Sequence, residues 1–290
     1  MNGGTALPGL PGLPEVPELP ARACDAHLHV FDGRFPVAAP HAMQAAATAA
    51  DYLRLRTRLG LTRAVVVQPR AHGVDNQATL DAIRVLGPDR TRGVAVVRPE
   101  ITDGQLEALH AGGIRGLRFS LHSDRDAAVG LDMLRPLAAR IHALGWHLQL
   151  HWRADQIVAQ RGLLCGLPCP LVFDHMARAG GPGHEAQAAF SLVRDLVQAG
   201  RAWVKLSGPY LNSAQGLDTG YADCEALVQA WVREAPERLV WGSDWPHVTE
   251  GERRPGPELP LRLLARWLPD PAMRRQVLVA NACALYGFGD

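Results

Sequence analysis

Eight short apolar runs, rich in β-branched and aromatic residues, recur along the chain at intervals of about twenty to forty residues, and each leads into a stretch that reads as helix. The runs predict strands over Ala23–His29, Ala64–Gln68, Gly93–Val97, Ile114–Ser120, Trp146–His151, Leu171–His175, Ala202–Ser207 and Leu239–Asp244. Alanine- and leucine-rich segments between them, such as Asn76–Leu86, Gly104–Ala111, Leu131–Leu144, Glu185–Gln198 and Cys224–Glu234, predict helices with glycine or proline near many of their ends. Strand and helix alternating in this way are the pattern of a closed parallel α/β barrel, a (β/α)8 TIM barrel in a single domain. An open doubly wound sheet usually has fewer strands, and no Gly-x-Gly-x-x-Gly follows the first run. The barrel is expected over residues 22–290. Residues 1–21 are punctuated by prolines and predict an extended, polyproline-like arm lying on it.

Thirty basic and twenty-nine acidic side chains leave almost no net charge, so neither a nucleic-acid backbone nor an anionic membrane surface is an expected partner. No uncharged apolar run approaches the roughly eighteen residues of a membrane span. The expected partner is a small molecule; oligomeric state is not legible. Cys24, Cys165, Cys169, Cys224 and Cys283 are odd in number and scattered, which fits a reduced, cytoplasmic setting better than a disulfide framework.

In a barrel the reacting groups stand at the C-terminal ends of the strands, so the residues closing each run carry the functional signal. The first strand ends in Asp25-Ala26-His27-Leu28-His29, and alternation puts both histidines on one side. Twelve histidines give about 0.5 such pairs by chance, so the tripeptide draws its weight from its position and company. On strand five His147, Gln149 and His151 share one parity, with Leu148 and Leu150 on the other. Strand six ends in Asp174-His175, and strand eight leads into Ser243-Asp244-Trp245-Pro246-His247. Strand four offers Arg118 and Ser120; a buried arginine either meets a protein carboxylate or receives an anionic ligand. Arg70, Arg125 and Arg178 follow strands two, four and six. Lys205, the sole lysine, shares its face of strand seven with Ser207, and Tyr210 follows. Pairing within the barrel wall and contact with substrate both stay open for Lys205.

With these strand ends in place, and with Gln68-Pro69-Arg70, Arg115-Gly116-Leu117-Arg118-Phe119 and Val204-Lys205-Leu206-Ser207-Gly208 between them, the sequence resembles the amidohydrolase superfamily. Within its amidohydrolase-2 branch it is most similar to the group of pyrone-dicarboxylate lactonases, sugar-acid lactonases and lactone isomerases. The resemblance covers nearly everything after residue 22. It implies hydrolysis of a carboxylated lactone, with Asp244 activating water and His27, His29 and His175 surrounding the carbonyl to stabilise the oxyanion. It also implies Arg118 as the partner of a substrate carboxylate, leaving His151, Arg70, Arg125, Arg178, Tyr210 and His247 as further substrate-binding candidates. Asp124 stands where the lactonase has a second substrate-binding arginine, with Arg125 beside it.

Two settings follow from the resemblance. In one no cofactor is required. In the other His27, His29, His151 and Asp244 hold one divalent ion such as Zn²⁺, and a binuclear site is disfavoured because strand four lacks a bridging lysine. Lactone isomerisation, metal-dependent decarboxylation and a non-catalytic binding barrel are the alternative readings.

Overall fold

The computed structural model describes residues 10, 12–43, 47–123, 125, 127–181 and 183–289. Eight strands form one parallel sheet in sequence order: β1 (Cys24–Leu28), β2 (Arg63–Val67), β3 (Thr91–Ala95), β4 (Ile114–Ser120), β5 (His147–His151), β6 (Leu171–Phe173), β7 (Ala202–Leu206) and β8 (Leu239–Trp241). The sheet curls until the segment following β8 pairs with β1 through a parallel bridge between Leu28 and Trp245. The expected (β/α)8 barrel is therefore present, with the bounds of seven strands corrected by one to three residues. β3 begins and ends two residues earlier than predicted, β1 stops before His29, and β6 and β8 end before His175 and Asp244. In the last three cases the reactive residues lie just beyond the ladder.

Helices α1 (Ala49–Leu59), α2 (Gln77–Leu86), α3 (Asp103–Ala111), α4 (Leu134–His142), α5 (Ala154–Ala159), α6 (Arg161–Cys165), α7 (His184–Gln198) and α8 (Glu225–Glu234) follow the first seven strands, and α9 (Leu259–Trp267), α10 (Pro271–Arg275) and α11 (Asn281–Tyr286) complete the chain. Local chemistry sets several ends. Thr48 with Asp51 and Thr102 with Gln105 form reciprocal caps that satisfy the first amides of α1 and α3, and Gly60 ends α1 in the left-handed region.

Alternation sorts the side chains into two cores. Leu148, Leu150, Leu171, Phe173, Val204 and Leu206 pack outward against the helices. Cys24, Ala26, Val65, Val67, Val94, Val172, Trp203 and Val240 fill the lower lumen with Tyr286 and Phe288. Phe288 lies under the guanidinium groups of Arg63 and Arg92, at the starts of β2 and β3, so the C-terminal residues close the N-terminal mouth of the barrel. The described part of the arm lies against the barrel; its first nine residues and residue 11 lie outside the described residues. No helix among the described residues is long and apolar enough to cross a membrane.

Candidate active site

The seam of the barrel carries its reactive groups. Asp244 N donates to His27 O at 2.8 Å, and His29 N donates to Trp245 O at 2.8 Å. Beneath them the fully buried Asp25 carboxylate receives four donors. Its Oδ1 accepts from His27 N at 3.1 Å and Ser243 N at 2.9 Å; its Oδ2 accepts from Tyr52 OH at 2.9 Å and Ser243 Oγ at 2.5 Å. Burial raises the Asp25 pKa, while these donors hold the carboxylate in place. Asp25 is thus a brace across the seam, a role the sequence analysis did not assign.

Strict alternation would send His27 outward, since Cys24 and Ala26 already face the lumen. A register shift between Asp25 and Leu28 turns it inward. Gly242 makes the room: a Cβ there would stand 2.4 Å from His27 Cβ. His175 also departs from alternation, because Val172 and Asp174 occupy the lumen face of β6. A left-handed turn, with φ of 51° at His175, 56° at Met176, 59° at Ala177 and 48° at Arg178, swings its ring into the site. Asn212 Nδ2 holds that turn through His175 O at 2.9 Å, and Ser207 Oγ meets His175 Nδ1 at 3.0 Å. Gly208, itself at φ 51°, leaves space for the ring, which a Cβ would approach to 2.6 Å.

Three atoms then converge. His27 Nε2 and His29 Nε2 are 3.3 Å apart, and Asp244 Oδ1 lies 3.4 Å from the first and 3.6 Å from the second. Burial holds His27 well below the usual imidazole pKa, and burial with Arg118 holds His29 at about 3, so both rings are neutral at pH 7. His29 Nδ1 lies 2.8 Å from Val67 O, and a carbonyl only accepts; the ring proton is therefore on Nδ1 and Nε2 presents a lone pair. With its one ring proton directed at Val67 O, a neutral His29 offers the site an acceptor at Nε2. His27 Nδ1 lies 3.2 Å from Asp174 Oδ1 and 3.3 Å from Lys205 Nζ, so a carboxylate and an ammonium both face that nitrogen while Nε2 is turned to the site.

Lone pairs facing one another this closely require a cation or a proton between them. The three separations match the edge of a tetrahedron about a metal with bonds of about 2.0–2.1 Å, which is about 3.4 Å. His175 offers a donor atom within 4.8 Å of those on His27 and Asp244. Among the described residues, His27, His175 and Asp244 form a group whose donor atoms could hold one ion, with His29 Nε2 beside His27 and Asp244. His175 joins His27 and Asp244, whereas His151 turns Nδ1 to Arg118 Nη2 and Ser120 Oγ, each at 3.4 Å.

Asp244 itself is strained and buried, at φ 59°. Burial pushes its pKa up to about 7, against the hydrogen bond that Tyr210 OH donates to Oδ2 and the charge of Arg118. Tyr210 is thus committed to the carboxylate rather than free for substrate. Below the imidazoles Asp174 anchors a buried ionic network. Its Oδ2 accepts from Gln149 Nε2 at 3.1 Å and faces Arg118 Nε at 3.5 Å, and its Oδ1 lies 3.7 Å from Lys205 Nζ. Burial opposes its ionisation, but His27, Lys205 and Arg118 hold its pKa well below the carboxylate range. Lys205 donates to Gln149 Oε1 at 2.7 Å and Ala26 O at 2.9 Å, which places it in the barrel wall.

The remaining candidates divide. Arg118 is buried, and its Nε has no hydrogen-bond partner among the described residues, although Asp174 is near. His151 Nε2 and both ring nitrogens of His247 are likewise buried without hydrogen-bond partners, so polar capacity at the mouth is unspent. Arg178 is half-buried on the left-handed turn. Arg70 donates to the carbonyls of Ser120, Ser123 and Arg125 and so staples the loop after β4; Arg125 is exposed on that loop. Asp124 lies outside the described residues. His122, which the sequence analysis passed over, stacks on His151 with ring centroids 4.0 Å apart.

A parallel barrel presenting imidazoles, a strained carboxylate and a buried arginine at the C-terminal ends of its strands is the architecture of a hydrolytic enzyme. The family model described as Amidohydrolase matches residues 24–288, and the chain belongs to that family. It is 34% identical over 276 residues to the 4-sulfomuconolactone hydrolase of Rhizobium radiobacter, covering 91% of this chain and 90% of that protein. It is 32% identical over 276 residues to the 2-pyrone-4,6-dicarboxylate hydrolase of Comamonas testosteroni, covering 92% and 90%. A solved structure of a probable 2-pyrone-4,6-dicarboxylic acid hydrolase from Acinetobacter baumannii, with citric acid bound, superposes with a TM-score of 0.79 at 28% identity, over 92% of this chain and all of the other.

Proposed function

We propose that the protein hydrolyses the lactone ring of a small carboxylated substrate, with Asp244 as the base that accepts a proton from the attacking water. The observation that carries this reading is the Asp244 carboxylate itself, buried against His27, His29 and His175 while Tyr210 occupies one of its oxygens. The relatives support it: those named for their substrates act on lactones that carry acidic groups, and the related structure holds a tricarboxylate.

Water adds to the lactone carbonyl carbon as Asp244 takes its proton. The ring C–O bond then breaks, and the proton passes to the departing oxygen, giving the open hydroxy acid. His27, His29, His175 and Asp244 are the residues that would hold a divalent ion, which when bound supplies Lewis-acid polarisation of the carbonyl and a lowered pKa for water. Val67 O fixes the outer nitrogen of His29, so its inner nitrogen presents a lone pair, and the Asp174 carboxylate stands beside the outer nitrogen of His27. Arg118 offers its guanidinium to the substrate carboxylate.

Metal content is the first test. Purified protein is expected to carry about one equivalent of divalent metal, and chelation is expected to lower lactone hydrolysis by at least about a hundredfold, with recovery on adding Zn²⁺. Undiminished turnover by metal-free protein would remove the ion from the reaction. Substrate class is tested by screening 4-sulfomuconolactone, 2-pyrone-4,6-dicarboxylate and sugar-acid lactones; absence of turnover across them, with metal supplied, would refute the lactonase reading. Replacing Arg118 by methionine is expected to raise KM roughly thirty- to hundredfold with a smaller change in kcat, from loss of a charge-assisted contact. Equal KM values for the two proteins would place the substrate carboxylate elsewhere.

A further inference from the structure

We infer that the N-terminal arm is a working part of the active site: Leu10 and Leu13 hold the turn that carries Tyr221, and through it the ring of Tyr210 where its hydroxyl fixes Asp244. The inference rests on the reading of Asp244 as the base.

The arm's contact residues recur at a fixed spacing. Leu10, Leu13, Val16 and Leu19 recur every three residues, and all four pack against the core. Between Leu10 and Leu13 the arm turns, with Gly12 at φ 84° and Leu13 N donating to Leu10 O at 3.5 Å, which brings the two leucines together. Arg262 supplies an anchor, donating from Nε to Pro14 O at 2.8 Å and from Nη2 to Leu13 O at 3.1 Å. Beside that anchor a Cβ on Gly220 would meet both Leu10 Cδ1 and Leu13 Cδ1 at 3.5 Å, so the two leucines sit directly on this glycine.

The turn beneath them needs holding. Gly216, Gly220 and Tyr221 all have positive φ, at 73°, 62° and 54°, and Tyr221 adopts it with a full side chain, a strained conformation that its surroundings must hold. Two backbone hydrogen bonds close the turn, Gly220 N to Leu217 O at 2.8 Å and Tyr221 N to Gly216 O at 3.1 Å. The ring of Tyr221 is buried and meets that of Tyr210 edge-on, with centroids 6.3 Å apart. Tyr210 then donates to Asp244 Oδ2, which directs Oδ1 to His27 and His29. A contact chain thus runs from the arm to the reacting carboxylate, and Tyr221 and the arm are positioning elements within it.

The test is a double-mutant cycle in the full-length, metal-loaded protein, pairing Leu10→Asp/Leu13→Asp with Tyr210→Phe. The arm variant is expected to lower kcat for 4-sulfomuconolactone or 2-pyrone-4,6-dicarboxylate about tenfold with KM within about twofold, because a displaced group costs rate rather than affinity. Added to Tyr210→Phe it is expected to cost little more, since the contact chain is already broken. An unchanged kcat, or losses that simply multiply, would overturn the inference. Arg262→Ala, which removes the anchor but leaves the leucines, repeats the cycle should the charged variant fold poorly. Hydrogen exchange gives a readout that needs no substrate: residues 208–221 should exchange faster in both arm variants while β2 to β5 do not change, and unaltered exchange across 208–221 would refute the strap. Activity surviving in Asp244→Asn would instead refute the base, whatever the arm does.

Discussion

Replacing Asp244 with asparagine is expected to lower kcat by at least about a thousandfold while the protein stays folded. The two halves of this expectation have different causes. Asparagine keeps the shape of the carboxylate, its Oδ1 can still accept from Tyr210 OH, and its amide can donate to the Nε2 lone pair of His29. No buried group is left without a partner, so the melting temperature should fall little. What disappears is the oxygen able to take a proton from water. An amide is not a base at any accessible pH, and nearby groups are poor substitutes: burial and the charge of Arg118 hold His29 at about 3, which makes its Nε2 a weak proton acceptor, and Tyr210 is itself a donor. The measurement is steady-state lactone hydrolysis beside a thermal melt and a metal assay. The metal assay separates loss of the base from loss of an ion, because asparagine is a poorer ligand than carboxylate. Turnover within tenfold of the parent, with metal content unchanged, would mean that some other group accepts the proton.

Alternation was a dependable guide wherever the strands stayed regular. On β5 it correctly put Leu148 and Leu150 against the helices and His147, Gln149 and His151 in the lumen, because each position in a ladder is tied to its neighbours by hydrogen bonds. It was insufficient at the two histidines that matter most. His27 reaches the site through a register shift, and His175 through four successive left-handed residues without a glycine among them. Neither device leaves a signature in a single sequence; both depend on distant partners, Asp25 with Ser243 for the first and Asn212 for the second. For the same reason parity alone does not separate His151, whose Nδ1 faces Arg118 and Ser120, from His175, which stands with His27 and Asp244. Strand position marks which residues come near the axis, but it does not say where a ring nitrogen points. Asp174 is the clearest omission. It was read only as part of a strand-end motif, yet its lumen parity, shared with Val172, and the presence of inward Arg118 and Lys205 together demanded a buried counter-charge.

That counter-charge leads to the largest expected effect on stability. Asp174→Asn is expected to cost about 3–5 kcal/mol, the usual penalty for removing one partner of a buried ion pair. Asp174 is fully enclosed and faces two cations, Lys205 Nζ at 3.7 Å and Arg118 Nε at 3.5 Å. Lys205 is the more exposed to its loss in energetic terms. Its other partners, Gln149 Oε1, Ala26 O and the His27 ring, are uncharged, and burial already depresses its pKa to about 8. Asparagine could replace a hydrogen bond but not the charge. Equilibrium denaturation at neutral pH measures the deficit, and a second substitution identifies its origin. If the uncompensated ammonium is responsible, Lys205→Met in the Asp174→Asn background removes it and replaces it with an apolar chain of similar length, so at least about half of the lost stability should return. Activity should not return with it, because His27 would still lack the carboxylate beside Nδ1. A double variant no more stable than Asp174→Asn alone would show that the barrel tolerates the lone lysine and that Asp174 acts mainly through His27.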